Sequence, residues 1–109
     1  MRQRPGPVKK PGKMNKTEAL YASILELQKR AGDIVDYAYE SVKFRLANGT
    51  WYTPDFFVVR KDHFEVIEIK GFLRDDAAVK FKVAAEQYPW IKWRMIRRRG
   101  QQWDTIYER

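Results

Sequence analysis

The apolar residues of the chain follow two spacings, one typical of helices and one typical of strands. After the N-terminal stretch they recur at intervals of four and three, at Leu20, Ile24 and Leu27. This spacing predicts an amphipathic helix. Asn15 is a favourable N-cap, and Glu18 lies three residues later, as in a capping box. Gly32 predicts where the helix ends.

The remaining apolar residues mostly alternate with polar ones, which is typical of strands. The predicted strands span residues 34–46, 51–59, 64–70 and 91–97, and a second helix spans about 75–87. The alternation of the first strand changes phase near Glu40 and Ser41, which predicts a bulge or bend. Asn48-Gly49 predicts a hairpin turn after it. The order α-β-β-β-α-β predicts an α/β fold, with a central mixed sheet of about four strands flanked by helices.

The first fourteen residues have a different composition from the rest of the chain. They hold three of its five prolines and two of its six glycines, which disfavours a helix or a central strand. We expect a flexible basic arm over residues 1–14, one domain over 15–99 and a short tail over 100–109.

The net charge of +8 is unevenly distributed. Residues 1–16 carry six basic residues and no acid, residues 92–99 carry five and no acid, and residues 17–91 hold ten basic and twelve acidic residues. Two basic patches on a near-neutral domain favour a polyanionic partner, with DNA as the leading candidate. The candidate DNA-binding residues are Lys9, Lys10, Lys13, Lys16, Lys80, Lys82, Arg97, Arg98 and Arg99.

The composition excludes several kinds of site. The chain has no cysteine and a single histidine, His63, so thiolate zinc sites, disulfides and multi-histidine metal sites are ruled out. A metal would be held mainly by oxygen, which favours Mg²⁺, Mn²⁺ or Ca²⁺. No apolar run approaches the roughly 20 residues of a membrane helix, and no secretory signal is visible. We expect a cytoplasmic protein with no membrane partner.

The four tryptophans divide into packing residues and candidates for stacking on bases. We expect Trp51 and Trp93 to lie in the core, because most tryptophans are packing residues. Trp103 lies in the polar tail and is the best candidate for an exposed stacking residue.

Three charged residues are predicted to meet at one end of the central hairpin. If the turn is centred between Lys61 and Asp62, the numbers of paired residues add up to 123, and Asp55 faces Glu68. Directly opposed residues have Cβ atoms about 5 Å apart, and Lys70 follows on the same face. A one-residue slip of the register would separate the carboxylates.

Two partly covered carboxylates at this distance repel one another, and a divalent cation relieves the repulsion. A neighbouring lysine can stabilise charge developing on a phosphate, or orient or deprotonate the attacking water. The sequence therefore predicts a minimal site for metal-assisted phosphodiester hydrolysis. The alternative is a Glu68–Lys70 pair at a solvated sheet end, with Asp55 simply following the turn-forming Pro54.

The spacing of these residues resembles a known nuclease motif. Pro54-Asp55, followed after twelve residues by Glu68-Ile69-Lys70, is similar to the PD-(D/E)xK motif of the restriction-endonuclease-like nucleases. The segments YTPDF and EIKG resemble phage-type endonuclease I Holliday-junction resolvases and related small phage nucleases. The resemblance spans about residues 15–97. It implies that Asp55, Glu68 and the Ile69 carbonyl bind Mg²⁺ (or Mn²⁺), and that Lys70 is the catalytic lysine.

The resemblance also implies acidic residues outside the central hairpin. An acid on the first helix often joins the metal site in this family, and Glu18 is the matching position, where it competes with the capping box. A further acid lies on the first strand, where both Asp36 and Glu40 are present. We favour Glu40 as the catalytic acid because it follows Tyr39 in a YE pair common in the related phage sequences.

Together these observations predict a Mg²⁺-dependent DNA endonuclease, phage-related and selective for branched or junction DNA. In a phage-encoded protein the expected location is the host cell cytoplasm. Endonuclease I is a dimer with exchanged elements joined by a long extended segment. Here Asn48-Gly49 predicts a compact protomer instead, and a homodimer stays open. The alternative is a non-catalytic nucleic-acid-binding module on a nuclease-like fold.

Overall fold

The computed structural model describes residues 12–71 and 75–109, which form a mixed α/β fold. Its elements are α1 (Lys16–Arg30), β1 (Asp36–Tyr39), β2 (Phe44–Ala47), β3 (Thr50–Tyr52), β4 (Phe56–Val59), β5 (Phe64–Ile69), α2 (Asp75–Gln87), β6 (Lys92–Arg99) and β7 (Gln102–Glu108). Neither helix of this part of the chain is long and apolar enough to cross a membrane.

The strands form two sheets. The larger has the order β1-β4-β5-β6-β7, in which β5 and β6 are parallel and the other neighbours are antiparallel. The smaller is the β2–β3 hairpin, whose turn contains Gly49 at a φ of 77°. A glycine adopts this left-handed conformation readily, so the hairpin predicted from Asn48-Gly49 is confirmed.

The sheet differs from the predicted four strands in two ways. The strand predicted over residues 34–46 divides between the two sheets, because the chain turns at Glu40, whose φ is 48°. The strand predicted over residues 51–59 likewise divides into β3 and β4. The predicted bend near Glu40 is therefore present, but it separates two strands instead of kinking one.

The prediction of a short tail over residues 100–109 is wrong. Residues 102–108 form β7, which pairs with β6 along most of its length. Trp103 is part of the reason, because its ring packs against that of Tyr21 of α1 with centroids 5.0 Å apart. Trp103 is thus partly buried, and the expectation that it is exposed is also wrong. The folded unit extends to the end of β7.

Each helix covers one face of the large sheet. Tyr21 and Leu25 of α1 pack on one face, and Phe81 of α2 packs on the other. The apolar stripe predicted for α1 is displaced, because Leu20 and Leu27 are 44% and 66% exposed. Tyr21 and Leu25, which widen the predicted stripe, supply the buried contacts of the helix.

The register predicted for the central hairpin is confirmed. Val59 pairs with Phe64, and Phe57 pairs with Val66. Asp55 immediately precedes β4, and Glu68 is the penultimate residue of β5. The same alternation places Phe57 and Val66 against the core that packs on α2, so Asp55 and Glu68 lie at the α2 side of the sheet.

Candidate active site

A cleft opens where β4 begins and β5 ends. Its volume is about 250 Å³, and it lies between the first turns of α1 and α2. Ala77, Ala78 and Met95 supply apolar walls. The polar side of the cleft is lined by Asn15, Thr17, Glu18, Asp55, Glu68, Ile69, Lys70 and Gly71. Five residues predicted from the sequence, Glu18, Asp55, Glu68, Ile69 and Lys70, therefore line one cavity.

Asp55 is held at the base of this cleft by the neighbouring strand. It is 9% exposed and follows Pro54, which is fully buried. Its Oδ2 accepts a hydrogen bond of 2.8 Å from the backbone N–H of Ile69. This bond fixes the carboxylate across the end of the hairpin, where the ladder of main-chain hydrogen bonds between β4 and β5 stops.

Glu68 is oriented by two donors. Its Oε1 accepts from the Tyr52 hydroxyl at 2.6 Å and from the backbone N–H of Asp55 at 3.0 Å. Among the hydrogen bonds of the described residues, none engages Glu68 Oε2 or Asp55 Oδ1. Each carboxylate therefore has one oxygen bound by the protein and a second oxygen available to a ligand.

The electrostatic environment disfavours two negative charges here. Burial raises the pKa of Asp55, and the charge of Glu68 raises it further. Burial also raises the pKa of Glu68, with smaller increases from Glu18 and Glu40, although its hydrogen bonds from Tyr52 and Asp55 oppose the shift. Among the described residues, no cation appreciably lowers the pKa of either carboxylate.

The donor set fits a hard divalent cation. Carboxylate oxygens are the ligands that Mg²⁺ prefers, and it usually retains several waters with only one or two carboxylates. Within residues 12–71 and 75–109, no group of three or more acidic, histidine or cysteine side chains is arranged to hold a metal ion. A metal at this cleft would accordingly be bound by Asp55 and Glu68, with the Ile69 carbonyl and water completing its coordination.

Glu18 caps α1 and also lines the cleft. Its Oε1 accepts from the backbone N–H of Asn15 at 2.9 Å, and its own backbone N–H donates to Asn15 Oδ1, which completes the capping box. The same Oε1 accepts from the Tyr39 hydroxyl at 2.8 Å. Because Glu18 also lines the cleft, capping the helix and facing the cleft are compatible.

The structure separates the two first-strand acids. Asp36 is exposed, forms an ion pair of 3.1 Å with Lys29 and lies opposite Val59, at the far end of β4. Glu40 donates its backbone N–H to the carbonyl of Asp55 at 2.9 Å, and its charge contributes to the raised pKa of Asp55. Glu40 is therefore the acid near the cleft, although it does not line the cleft itself.

The basic residues of β6 reach the same edge of the sheet. β5 and β6 are parallel, with Glu68 opposite Met95 and Ile69 opposite Ile96. By the same register, the next two opposed residues are Lys70 and Arg97. Met95 lines the cleft, and Arg97, two residues further on, is exposed on the same face. Arg97 is thus placed beside Lys70.

Arg98 and Arg99 are engaged with the protein. Arg98 lies over the Trp103 ring at 5.7 Å from its centroid, on the opposite face of the sheet. Arg99 forms an ion pair of 3.0 Å with Asp104. The three consecutive arginines therefore do not form one clamp, and Arg97 is the exposed member that lies next to Lys70 across the sheet.

The other predicted DNA-binding residues occupy different places. Lys13 and Lys16 are exposed next to the cleft, because Asn15 and Thr17 line it. Lys80 is partly buried on α2, one turn after Ala77. Lys82 lies over the Tyr107 ring at 5.5 Å, in a separate groove. Lys9 and Lys10 fall outside the described residues.

Two tyrosines that bind the site carboxylates were not predicted from the sequence. Tyr52 holds Glu68, and Tyr39 holds Glu18. Tyr52 lies three residues before Asp55 but on a different strand of a different sheet, so alternation along one continuous strand assigned it no role. The only sequence signal was an aromatic hydroxyl close to the Pro-Asp pair.

The chain was compared with protein-family models, with curated proteins and with solved structures. None of the three comparisons gave a match.

Proposed function

We propose that this chain is a Mg²⁺-dependent endonuclease with a restriction-endonuclease-like core, which hydrolyses phosphodiester bonds of DNA. One observation carries the proposal: Asp55, Glu68, Lys70 and Glu18 line a single cleft. The motif that resembles PD-(D/E)xK supports it, because its acids and its lysine lie together. From the same resemblance we take the preference for branched or junction DNA.

In this proposal, some residues of the cleft bind the metal and others stabilise charge. Asp55 and Glu68 would hold Mg²⁺ through their unoccupied oxygens, and the bound ion would polarise the scissile phosphate and supply an activated water. Lys70 lines the same cleft, where its ammonium group orients the water and offsets negative charge developing on the phosphate. Tyr52 keeps Glu68 in its rotamer through the 2.6 Å hydrogen bond.

Features around the cleft favour a phosphate backbone as the ligand. The first turns of α1 and α2 border the cavity, and the positive ends of helix dipoles favour anions. Lys16 and Arg97 are exposed at its margin. These groups compensate for the acids, which would otherwise repel the phosphates of DNA.

The test is a cleavage assay with Mg²⁺ on linear, flapped and four-way DNA of matched sequence. We expect cleavage by the natural sequence and none by Asp55→Ala or Lys70→Ala, with DNA binding largely retained. Lys61→Ala is the control for the second variant, because Lys61 is exposed in the turn at the other end of the same hairpin. Cleavage by Lys70→Ala at the rate of Lys61→Ala would refute the mechanism.

The second candidate is a non-catalytic nucleic-acid-binding module on the same fold. The two basic patches, over residues 1–16 and 92–99, favour it, because cations bind a polyanion without any reaction. Titration calorimetry with Mg²⁺ and Mn²⁺ separates the two candidates. Tight, salt-sensitive DNA binding without metal binding would support the module and exclude the enzyme.

A further inference from the structure

The β2–β3 hairpin has one buried face and one exposed face. Phe44 and Tyr52 are opposite one another and buried, with Phe44 packed against Trp93 at 5.1 Å between ring centroids. Side chains alternate between the two faces of a strand. Arg45 and Trp51, the next cross-strand pair, therefore lie on the outer face.

The outer face exposes a tryptophan among cations. Trp51 is 45% exposed, so the prediction that it lies in the core is wrong. The Lys43 ammonium lies 4.8 Å from the centroid of its ring, and the side chain of Arg45 is exposed opposite it. Residues 41–53 contain these two basic residues and no acid. The face thus combines an aromatic surface with local positive charge.

The inner face of the same hairpin contacts a carboxylate of the cleft. Tyr52, the neighbour of Trp51 in the chain, donates its hydroxyl to Glu68 at 2.6 Å on the inner side of the hairpin. Two further contacts hold the hairpin against the sheet and α2: the Tyr88 hydroxyl donates to the Arg45 carbonyl at 2.6 Å, and Gln87 donates to the Leu46 carbonyl at 2.9 Å. Trp51 is therefore presented on a fixed support, on the face of the hairpin opposite the one that contacts Glu68.

We propose that the outer face of the β2–β3 hairpin, formed by Lys43, Arg45 and Trp51, is a stacking platform for an unpaired DNA nucleotide next to the phosphate bound in the cleft. The proposal rests on the proposed function and narrows its substrate to DNA with a single-stranded segment. An exposed indole stacks on any base, and adjacent cations bind the backbone, which is the usual combination in single-strand binding. In a duplex the base faces are stacked on one another, so the platform distinguishes unpaired DNA from paired DNA.

The chain supplies a matched control for the tryptophan. Trp90 is 70% exposed, more than Trp51, and lies just before β6 at the end of the sheet remote from Lys70. Its ring packs on Tyr88, with centroids 5.5 Å apart. If exposure of an indole alone caused DNA binding, Trp90→Ala would have the larger effect.

The experiment measures binding without cleavage, in EDTA and in an Asp55→Asn background. The probes are labelled oligo-dT of about 16 nucleotides, which spans one single-strand site, and a blunt duplex of equal length. Loss of one stacked base costs roughly 1–3 kcal/mol, so we expect Trp51→Ala to weaken oligo-dT binding about 5-fold to about 150-fold. Trp51→Phe should retain most of the affinity, and Trp90→Ala should bind as the background does.

A second measurement does not depend on the folding of the alanine variant. Oligo-dT should quench part of the tryptophan fluorescence of the background, and this part should be absent from Trp51→Phe. Arg45→Gln should lower the slope of log K against log salt by about 0.7, the value for one phosphate contact on a single strand.

Four results would overturn the platform: equal oligo-dT affinity of Trp51→Ala and the background, an equal loss in Trp90→Ala, an equal loss on the duplex, or tighter binding of oligo-rU than of oligo-dU. The stacking platform and the proposed hydrolysis can be refuted independently of one another. If the natural sequence cleaves no DNA in Mg²⁺ while Trp51→Ala loses oligo-dT binding, the hydrolysis is refuted and the platform stands.

Discussion

Two glutamates of β5, the buried Glu65 and the partly buried Glu68, lie in different electrostatic environments. Glu65 is 6% exposed and lies between two arginines: its Oε1 accepts from Arg60 at 2.7 Å, and its Oε2 accepts from Arg94 at 3.0 Å. Glu68 lies three residues later and faces Asp55. Among the described residues, its hydrogen-bond donors are all neutral: Tyr52 and a backbone N–H. The Glu65 carboxylate is neutralised by two arginines, whereas the Glu68 carboxylate lies beside a second acid, Asp55.

The difference distinguishes a structural acid from a candidate ligand-binding acid. A buried ion pair with all its oxygens engaged has no capacity for a further cation. The Asp55–Glu68 pair keeps two unengaged oxygens, and burial and mutual repulsion raise the pKa of Asp55. Burial alone therefore does not identify a functional acid, whereas burial without a compensating cation marks an acid as a candidate for function.

The largest expected effect is a loss of DNA cleavage rate in the Glu68→Gln variant. Removing a carboxylate that positions the metal should cost several kcal/mol of transition-state stabilisation, about a 10³-fold loss of rate. The folded state should be at least as stable as before at pH 8, because the amide oxygen still accepts from Tyr52 and one of two repelling charges is gone. Steady-state cleavage and thermal unfolding measure the two effects. A variant that cuts normally would remove the distinction between the two acidic sites.

Glu65→Gln should give the opposite result, with a loss of stability. Breaking a buried ion pair leaves Arg60 and Arg94 without their counter-charge, which costs about 3 kcal/mol. Urea unfolding of this variant beside Glu68→Gln is a direct comparison of two glutamates on one strand. Should Glu68→Gln prove the more destabilised of the two at pH 8, the assignment of structural and ligand-binding roles would be reversed.

Tyr52→Phe tests whether orientation of Glu68 matters. The change removes only the hydroxyl that donates to Glu68, and loss of such an outer-shell partner typically lowers metal affinity or activity about 10- to 100-fold. Tyr37→Phe is the control, because the Tyr37 hydroxyl donates to Glu26 with a similar 2.8 Å bond that lies away from the cleft. Equal cleavage rates for the two variants would contradict a positioning role for Tyr52.

The smallest effect is the coupling of metal, pH and stability. Asp55 and Glu68 have pKa values raised in the folded state, so the folded protein retains protons that the unfolded chain has lost. Their contribution to stability therefore falls as pH rises from about 4, where carboxyl groups ordinarily titrate, through neutral pH. Mg²⁺ at ten times its Kd should restore about 1.4 kcal/mol at pH 8, and much less at pH 5.

Thermal unfolding with EDTA, Mg²⁺ or Mn²⁺ measures this coupling. Asp55→Asn should lose both the metal response and part of the decline in stability between pH 5 and pH 8. A metal response that persists in Asp55→Asn would place the cation elsewhere.

The sequence predicted the central hairpin and its acids because both depend on neighbouring residues. The turn at residues 60–63 and the alternation on either side of it fix which residues are opposite, and the structure has that register. The cap of α1 is similarly local, since Asn15 and Glu18 are three residues apart. The hairpin at Asn48-Gly49 follows from the conformational preference of one glycine.

Contacts between distant segments were not predictable in this way. Alternation does not distinguish a tail from an edge strand, and β7 is defined by its pairing with β6. Trp51 is exposed and Trp103 is partly buried, the reverse of the expectation. The burial of an indole depends on which element covers it, and α1 covers Trp103.

The sequence by itself therefore determined the charges, the turns, the helix cap and the register that brings Asp55 to Glu68. Only the tertiary structure decided which buried acid is neutralised. Glu65 and Glu68 have the same side chain on the same strand, and Arg94 reaches Glu65 from 29 residues away. The ionic state of a buried carboxylate depends on the charges that surround it in space, and a linear pattern does not contain those distances.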